Sequence, residues 1–178
     1  MDTERPEEVK RIAIVGPECT GKTDLARFLA NHYHTSWVPE FARNYIDQLN
    51  RPYEKDDLVK IADAQILLEN RLALQANKLL ICDTNLVVIK IWSEFKYGSC
   101  PDEIIEKMAT QKYDLHLLTY IDIPWVDDPQ REHPDKRPLL FDIYKNELVK
   151  SNVKFIEIKG LYDARRHAAV QAVEAILK

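Results

Sequence analysis

Apolar residues along this chain fall into short unbroken runs, separated by stretches where they recur every three or four positions. Ile12-Ala13-Ile14-Val15 is the first run, and four apolar residues in a row suit a strand covered on both faces. From about Lys22 the period changes, and Leu25, Phe28 and Leu29 share one face of a helix. Trp37-Val38 predicts a second strand, stopped by Pro39, and Phe41 to Leu49 a short helix. Asp56 and Asp57 open a longer helix with a stripe of Leu58, Ile61, Ala62, Leu68 and Leu72. Leu79 to Cys82 is a third strand, with Asp83 at its end. Helices follow over Asn85 to Phe95 and Asp102 to Gln111, separated by a Gly98/Pro101 break. Leu115 to Ile121 and Val153 to Ile158 read as strands, and Leu139 to Val149 as the helix between them. A last helix begins at Asp163, with Ala169, Val173, Ile176 and Leu177 aligned.

Strands alternate with helices throughout, and the strands are continuous apolar runs. That is the pattern of a parallel sheet with helices on both faces. The expectation is a three-layer α/β/α fold around a five-stranded parallel sheet. Residues 1–10 read as a charged tail and 11–178 as one domain, with no repeat or linker.

Composition narrows this little. A length of 178 residues suits one domain. The 46% apolar and 30% charged fractions rule out a disordered chain. The net charge of −4 argues against a nucleic-acid partner. No apolar stretch approaches the ~20 residues of a membrane span, and the first ten residues lack the apolar core of a signal peptide, so no membrane partner and a cytoplasmic location are expected. Cys19, Cys82 and Cys100 form no close-spaced pair, and the five histidines show no zinc-ligand spacing. Glycine and proline placement says more. Two of four glycines, Gly16 and Gly21, share one short stretch, and Pro124, Pro129, Pro134 and Pro138 fall within one polar segment.

Gly16-Pro17-Glu18-Cys19-Thr20-Gly21-Lys22-Thr23 matches G-x-x-x-x-G-K-[ST], after a predicted strand and at the start of a predicted helix. Glycines let successive backbone amides turn toward phosphate oxygens, and the helix N-terminus adds positive potential. Gly16, Glu18, Cys19, Thr20, Gly21, Lys22, Thr23 and Asp24 are the candidate nucleotide-binding residues. Lys22 reaches for the β and γ phosphates, and Thr23 ligates Mg²⁺. ATP and Mg²⁺ are therefore the expected cofactors. Asp83, at the carboxyl end of a buried strand, lies over the ligand crevice of such a sheet and is a second Mg²⁺ or acceptor-side candidate. Equally, it caps the following helix.

No Asn-Lys-x-Asp and no Asp-x-x-Gly after Asp83 is present, which disfavours a GTPase. Thr84 in place of a glutamate disfavours a large ATP-driven motor. The size suits a small-molecule kinase, which needs an acceptor site and a cover against water. Trp125 to Arg137, polar and stiffened by proline, fits the cover. Arg131, Lys136 and Arg137 are placed to close on the transferring phosphoryl group; alternatively, the segment is a solvated loop whose charges pair with one another. Glu40 is placed to take the acceptor hydroxyl's proton, against a plain helix-start carboxylate. Arg43 lies one turn on. Arg43, Asn85, Trp125 and Asp128 complete the acceptor-side candidates with Glu40 and Asp83, Trp125 offering a flat face beside acidic neighbours. Trp92 and Tyr97 read as core.

Gly16 to Thr23, Trp37-Val38-Pro39-Glu40-Phe41-Ala42-Arg43, Cys82-Asp83-Thr84 and the Asp122 to Arg137 segment together resemble the ribosylnicotinamide kinase domain of the NadR family, from about Arg11 to the end. The resemblance implies transfer of the ATP γ-phosphate to the 5′-hydroxyl of nicotinamide riboside, giving nicotinamide mononucleotide. It implies that Glu40 and Asp83 are acceptor-side or metal carboxylates and Arg131 and Arg137 lid residues, with adenine near Gly160 to Arg166. Longer members carry DNA-binding and adenylyltransferase segments ahead of the kinase, so those activities are not expected here. Cys19-Thr20 stands where small hydroxyl residues are usual, and a thiol-sensitive loop would follow. Two alternatives remain at this level. One is a kinase for another nucleoside or nucleotide, with Arg43 and Arg51 as spare cations. The other is a non-catalytic ATP-binding regulatory module.

Overall fold

The computed structural model describes residues 9–178, so the expected tail lies outside it except for its last two positions. Five strands, β1 (Lys10–Val15), β2 (Trp37–Val38), β3 (Leu79–Asp83), β4 (Leu115–Thr119) and β5 (Phe155–Ile158), form one sheet in the order β2-β3-β1-β4-β5. Every pairing is parallel. The helices are α1 (Lys22–His32), α2 (Phe41–Asp47), α3 (Lys55–Ala73), α4 (Leu86–Tyr97), α5 (Asp102–Thr110), α6 (Arg137–Lys150) and α7 (Tyr162–Leu177). The expected three-layer α/β/α fold is what forms.

The period-two geometry of a strand splits β1 between the layers. Ile12 and Ile14 pack with Leu25 and Leu29 of α1 and Ala169 and Val173 of α7. Ala13 and Val15 pack with Val88 and Ile91 of α4 and Phe141, Tyr144 and Leu148 of α6. Val38, Leu80 and Cys82 lie under Leu68 and Leu72 of α3. Ile12, Ile14, Leu80 and Ile81 are fully buried, and each such side chain contributes roughly 1.5–3 kcal/mol.

Boundaries differ from the sequence reading where side chains override pattern. α3 starts at Lys55, because Glu54 and Asp57 form a reciprocal capping box. α4 is capped by Asn85, whose side chain accepts from Val87 N at 3.0 Å, so Asp83 is not its cap. α6 begins at Arg137, two residues early, after a single 3₁₀ turn at Pro134–Lys136. Pro138 therefore does not punctuate the polar segment. It sits in the first helical turn, where a missing N–H costs nothing.

One buried polar group joins α3 to β4. Tyr113 Oη lies 3.0 and 2.8 Å from the two carboxylate oxygens of Glu69, and Arg11 Nη1 is 3.7 Å away. Burial nevertheless pushes Glu69 up to about 7. The folded protein thus holds a proton there that the unfolded chain releases. The contribution is fully present below the ordinary value of 4.5 and is lost as pH rises to about 7. In Glu69→Gln, denaturant unfolding followed across that window is expected to show a flatter pH dependence, the difference being on the order of 3 kcal/mol.

Candidate active site

The parallel sheet places the ends of β1, β2 and β3 on one edge, and the chemistry gathers there. Gly16 leaves β1 at φ 144°, and a Cβ on it would lie 2.5 Å from Thr119 Oγ1 and 2.9 Å from the Thr119 carbonyl. The phosphate loop can therefore lie directly on β4 only with glycine at this position. Gly21, at φ 75°, turns the loop into α1. Between them the Thr20 hydroxyl is buried, donating to Pro17 O at 2.8 Å and hydrogen-bonded to Thr119 Oγ1 at 2.7 Å. Lys22 Nζ donates to Gly16 O at 3.0 Å and Pro17 O at 2.8 Å.

Thr23 Oγ1 donates to Asp83 Oδ2 at 2.6 Å. Asp83 is buried, and its Oδ1 has no hydrogen-bond partner among the described residues. Burial raises its pKa despite the Thr23 hydroxyl and the charges of Lys22 and Arg43. A hydroxyl beside a carboxylate with an open oxygen is an all-oxygen donor pair of the kind Mg²⁺ takes alongside substrate phosphates. No group of three His, Cys, Asp or Glu side chains among the described residues could hold a metal alone.

Glu40 stands at the N-terminus of α2, but its carboxylate makes no capping bond. Burial raises its pKa, with Asp83 and Glu18 adding to the effect and Lys22 and Arg43 opposing it. Glu40, Arg43 and the whole loop line a cavity of about 350 Å³. Its far wall is Val88, Ile91, Trp92 and Phe95 of α4, with Leu140 and Tyr144 of α6. A larger cavity, about 700 Å³, opens beside the amino ends of β1, β4 and β5, lined by Arg11, Asn70, Gln111 and Ser151. The smaller cavity carries the loop and its acidic neighbours Glu18 and Glu40.

The polar segment before α6 lies across the loop. Glu18 accepts from Glu132 N at 3.0 Å and His133 N at 3.1 Å. Cys19 Sγ accepts from Val126 N at 3.2 Å. Arg43 pairs with Asp128 at 3.0 Å, and Gln130 donates to Arg43 O at 3.1 Å. Lys96 pairs with Glu132 at 3.2 Å. Asp128 and Glu132 are thus held by cations of the protein body, Arg43 and Lys96.

Placement of the sequence-derived candidates is mixed. Gly16, Glu18, Cys19, Thr20, Gly21, Lys22, Thr23, Asp24, Glu40, Arg43 and Arg131 all line the cavity. Asp83 lies beneath Thr23. Asn85 does not line it: the side chain is spent on capping α4 and on His116 Nε2 at 3.2 Å. Trp125 also lies outside the lining, its indole donating to Asp127 at 2.8 Å and its ring facing Arg137 at 5.6 Å. Asp128 is committed to Arg43. Arg137 Nη1 donates to Cys19 O at 3.2 Å and Ile123 O at 2.8 Å, behind the loop. Trp92, read as core, does pack against the core around Leu58 and Ile61, 4.7 Å from the Tyr53 ring, and it also forms part of the cavity wall. The sequence reading gives Trp92, Phe95, His133 and Tyr144 no site role, yet all four line the cavity. α4 is apolar on nearly every side, so nothing in its periodicity marks the face turned to the site.

A parallel five-stranded α/β/α sheet with a phosphate loop after its central strand defines a P-loop fold, the fold that P-loop kinases share. The chain belongs to the AAA domain family, which matches residues 11–165. It is homologous to the trifunctional NAD biosynthesis/regulator protein NadR of Salmonella typhimurium, at 26% identity over 97% of this chain and 44% of the relative. The chain thus spans less than half of that protein's length. A crystal structure of NadR in complex with NR superposes with a TM-score of 0.80 at 23% identity, over 95% of this chain and 52% of that one. Thymidylate kinase from Candida albicans shares the fold at a TM-score of 0.68 and 13% identity, over 94% and 92%. The resemblance drawn from the motifs is borne out. No described helix is long and apolar enough to cross a membrane.

Gly16→Ala is expected to lose nucleotide binding and to lower the melting temperature together. The added methyl meets backbone and a β4 hydroxyl, not the yielding end of a side chain. Calorimetric titration with AMP-PNP and a thermal melt check both effects.

Proposed function

We propose that the protein is an ATP-dependent kinase that transfers the γ-phosphate to the 5′-hydroxyl of nicotinamide riboside. The observation that carries this is the opening of the phosphate loop and Glu40 into one cavity with aromatic walls and acidic groups. The acceptor oxygen attacks the γ-phosphorus, the bond to the β-phosphate oxygen breaks, and ADP leaves. The hydroxyl proton passes to the Glu40 carboxylate, made more basic by its burial. Lys22 exchanges its loop carbonyls for phosphate oxygens. Thr23 and Asp83 would hold Mg²⁺, which when bound neutralises charge on the phosphates. The segment at 125–137 acts as the lid, with Arg131 on the cavity side.

The acceptor assignment draws on the NadR homology and on charge. Trp92, Phe95 and Tyr144 offer ring faces, and Glu18 and Glu40 supply negative charge, which together suit a cationic pyridinium. A monophosphate acceptor is less well served. Arg51 is held bidentately by Asp57 at 2.7 and 2.9 Å, and Arg43 by Asp128.

ATP turnover measured against a panel of nucleosides is expected to rise most with nicotinamide riboside; stimulation by another nucleoside alone overturns the acceptor and keeps the kinase. Lys22→Ala is expected to abolish turnover. Glu40→Gln is expected to lower kcat by about 10²–10⁴ with AMP-PNP affinity retained. Because Glu40 must be ionised and its pKa is raised, kcat/KM should fall on acidification at a pH above the ordinary 4.5. That acid limb should vanish in Glu40→Gln. Trp92→Ala is expected to raise acceptor KM more than ATP KM.

A further inference from the structure

Arg165, in the first turns of α7, is 4% exposed, yet it carries a full positive charge. Its guanidinium reaches three separate loops. Nε donates to Gly160 O at 3.1 Å, after β5. Nη2 donates to Tyr120 O at 3.0 Å and to the Asp122 carboxylate, both after β4. Nη1 donates to Thr20 O, inside the phosphate loop. Asp122 completes the link by accepting from Gly160 N at 2.5 Å.

The Thr20 contact has a geometric consequence. Thr20 C=O and Gly21 N–H belong to one planar trans peptide, so they point in opposite directions. A cation that draws the carbonyl inward turns the Gly21 amide outward. We infer that Arg165, oriented by Asp122, is a positioning residue that fixes the Thr20–Gly21 peptide so that its amide faces the nucleotide phosphates. The inference rests on the nucleotide role proposed for the loop, but not on any acceptor. Arg165 touches neither nucleotide nor acceptor, and it acts through the backbone. Lysine cannot replace it, because a single ammonium does not span four acceptors in three loops.

The test uses the full chain, with magnesium AMP-PNP as probe and titration calorimetry as readout. Arg165→Lys, folded by circular dichroism, is expected to weaken AMP-PNP binding by about tenfold or more, while acceptor KM in turnover assays stays within about twofold. Asp122→Asn keeps one acceptor oxygen where the carboxylate has two, so its amide donor must oppose either Gly160 N–H or the Arg165 guanidinium; with the anion also gone Arg165 is loosened, and AMP-PNP binding is expected to weaken about fivefold. A lowered melting temperature with AMP-PNP affinity within about twofold of wild type in both variants marks a purely structural role and overturns the inference. A proportional rise in acceptor KM overturns it as well. If Arg165→Lys does not fold, Asp122→Asn decides by the same thresholds. A wild-type protein that binds AMP-PNP but phosphorylates no nucleoside refutes the proposed function and leaves this inference standing.

Discussion

A phosphate loop works only if its amides face outward, and that requires its carbonyls to be tied down elsewhere. In this protein cations do the tying. Arg137 holds the carbonyl of Cys19 and Arg165 that of Thr20; Lys22 holds those of Gly16 and Pro17, two contacts that the proposed function has it give up to phosphate. They come from α1, α6 and α7, so the loop's shape depends on three helices drawn from both outer layers. Much of the fold can be read as support for this arrangement. β4 supplies Thr119 as the floor beneath Gly16, and the segment after β4 supplies Asp122 to hold Arg165.

The second constraint is the cost of placing two carboxylates beside a site for a polyanion. Burial pushes both Asp83 and Glu40 upward, and Lys22 and Arg43 offset this only in part. Such raised values cluster where chemistry is done. The two groups stand in different surroundings. Asp83 is tied to a hydroxyl at 2.6 Å, as a metal ligand's neighbour would be. Glu40 makes no capping bond, which suits a group that must pick up a proton. One environment orders a carboxylate and the other leaves it available.

The sheet, its helices and the loop were legible in the sequence because each is encoded locally. Unbroken apolar runs mark buried parallel strands, and the glycine-lysine spacing is short-range. The cavity walls were not legible, because they depend on how helices are turned over the sheet. Trp125 looked like a ring platform from its acidic neighbours, but Asp127 and Arg137 occupy its indole and its face. Trp92 reads as core because most of α4 is apolar, and only the packing of α4 beside α6 shows that its ring borders the cavity. Arg137 and Arg165 show the same limit. Apart from Asp122, the hydrogen-bond partners of these two arginines are main-chain carbonyls, and no residue pattern records a carbonyl. The NadR resemblance, by contrast, was readable because its motifs sit at the strand ends, where local sequence and site coincide.

The ammonium of Lys22, folded back on two carbonyls of its own loop, has one more consequence. The loop carries its own internal counter-ligand, so an incoming anion must compete for a charge already solvated by the protein. Affinity is then the difference between two sets of contacts. A single small anion offers little over the paired carbonyls it displaces. A polyphosphate meets the freed ammonium, the outward amides and the helix terminus together. On the proposed function, the loop would discriminate by valence before any base or sugar is recognised.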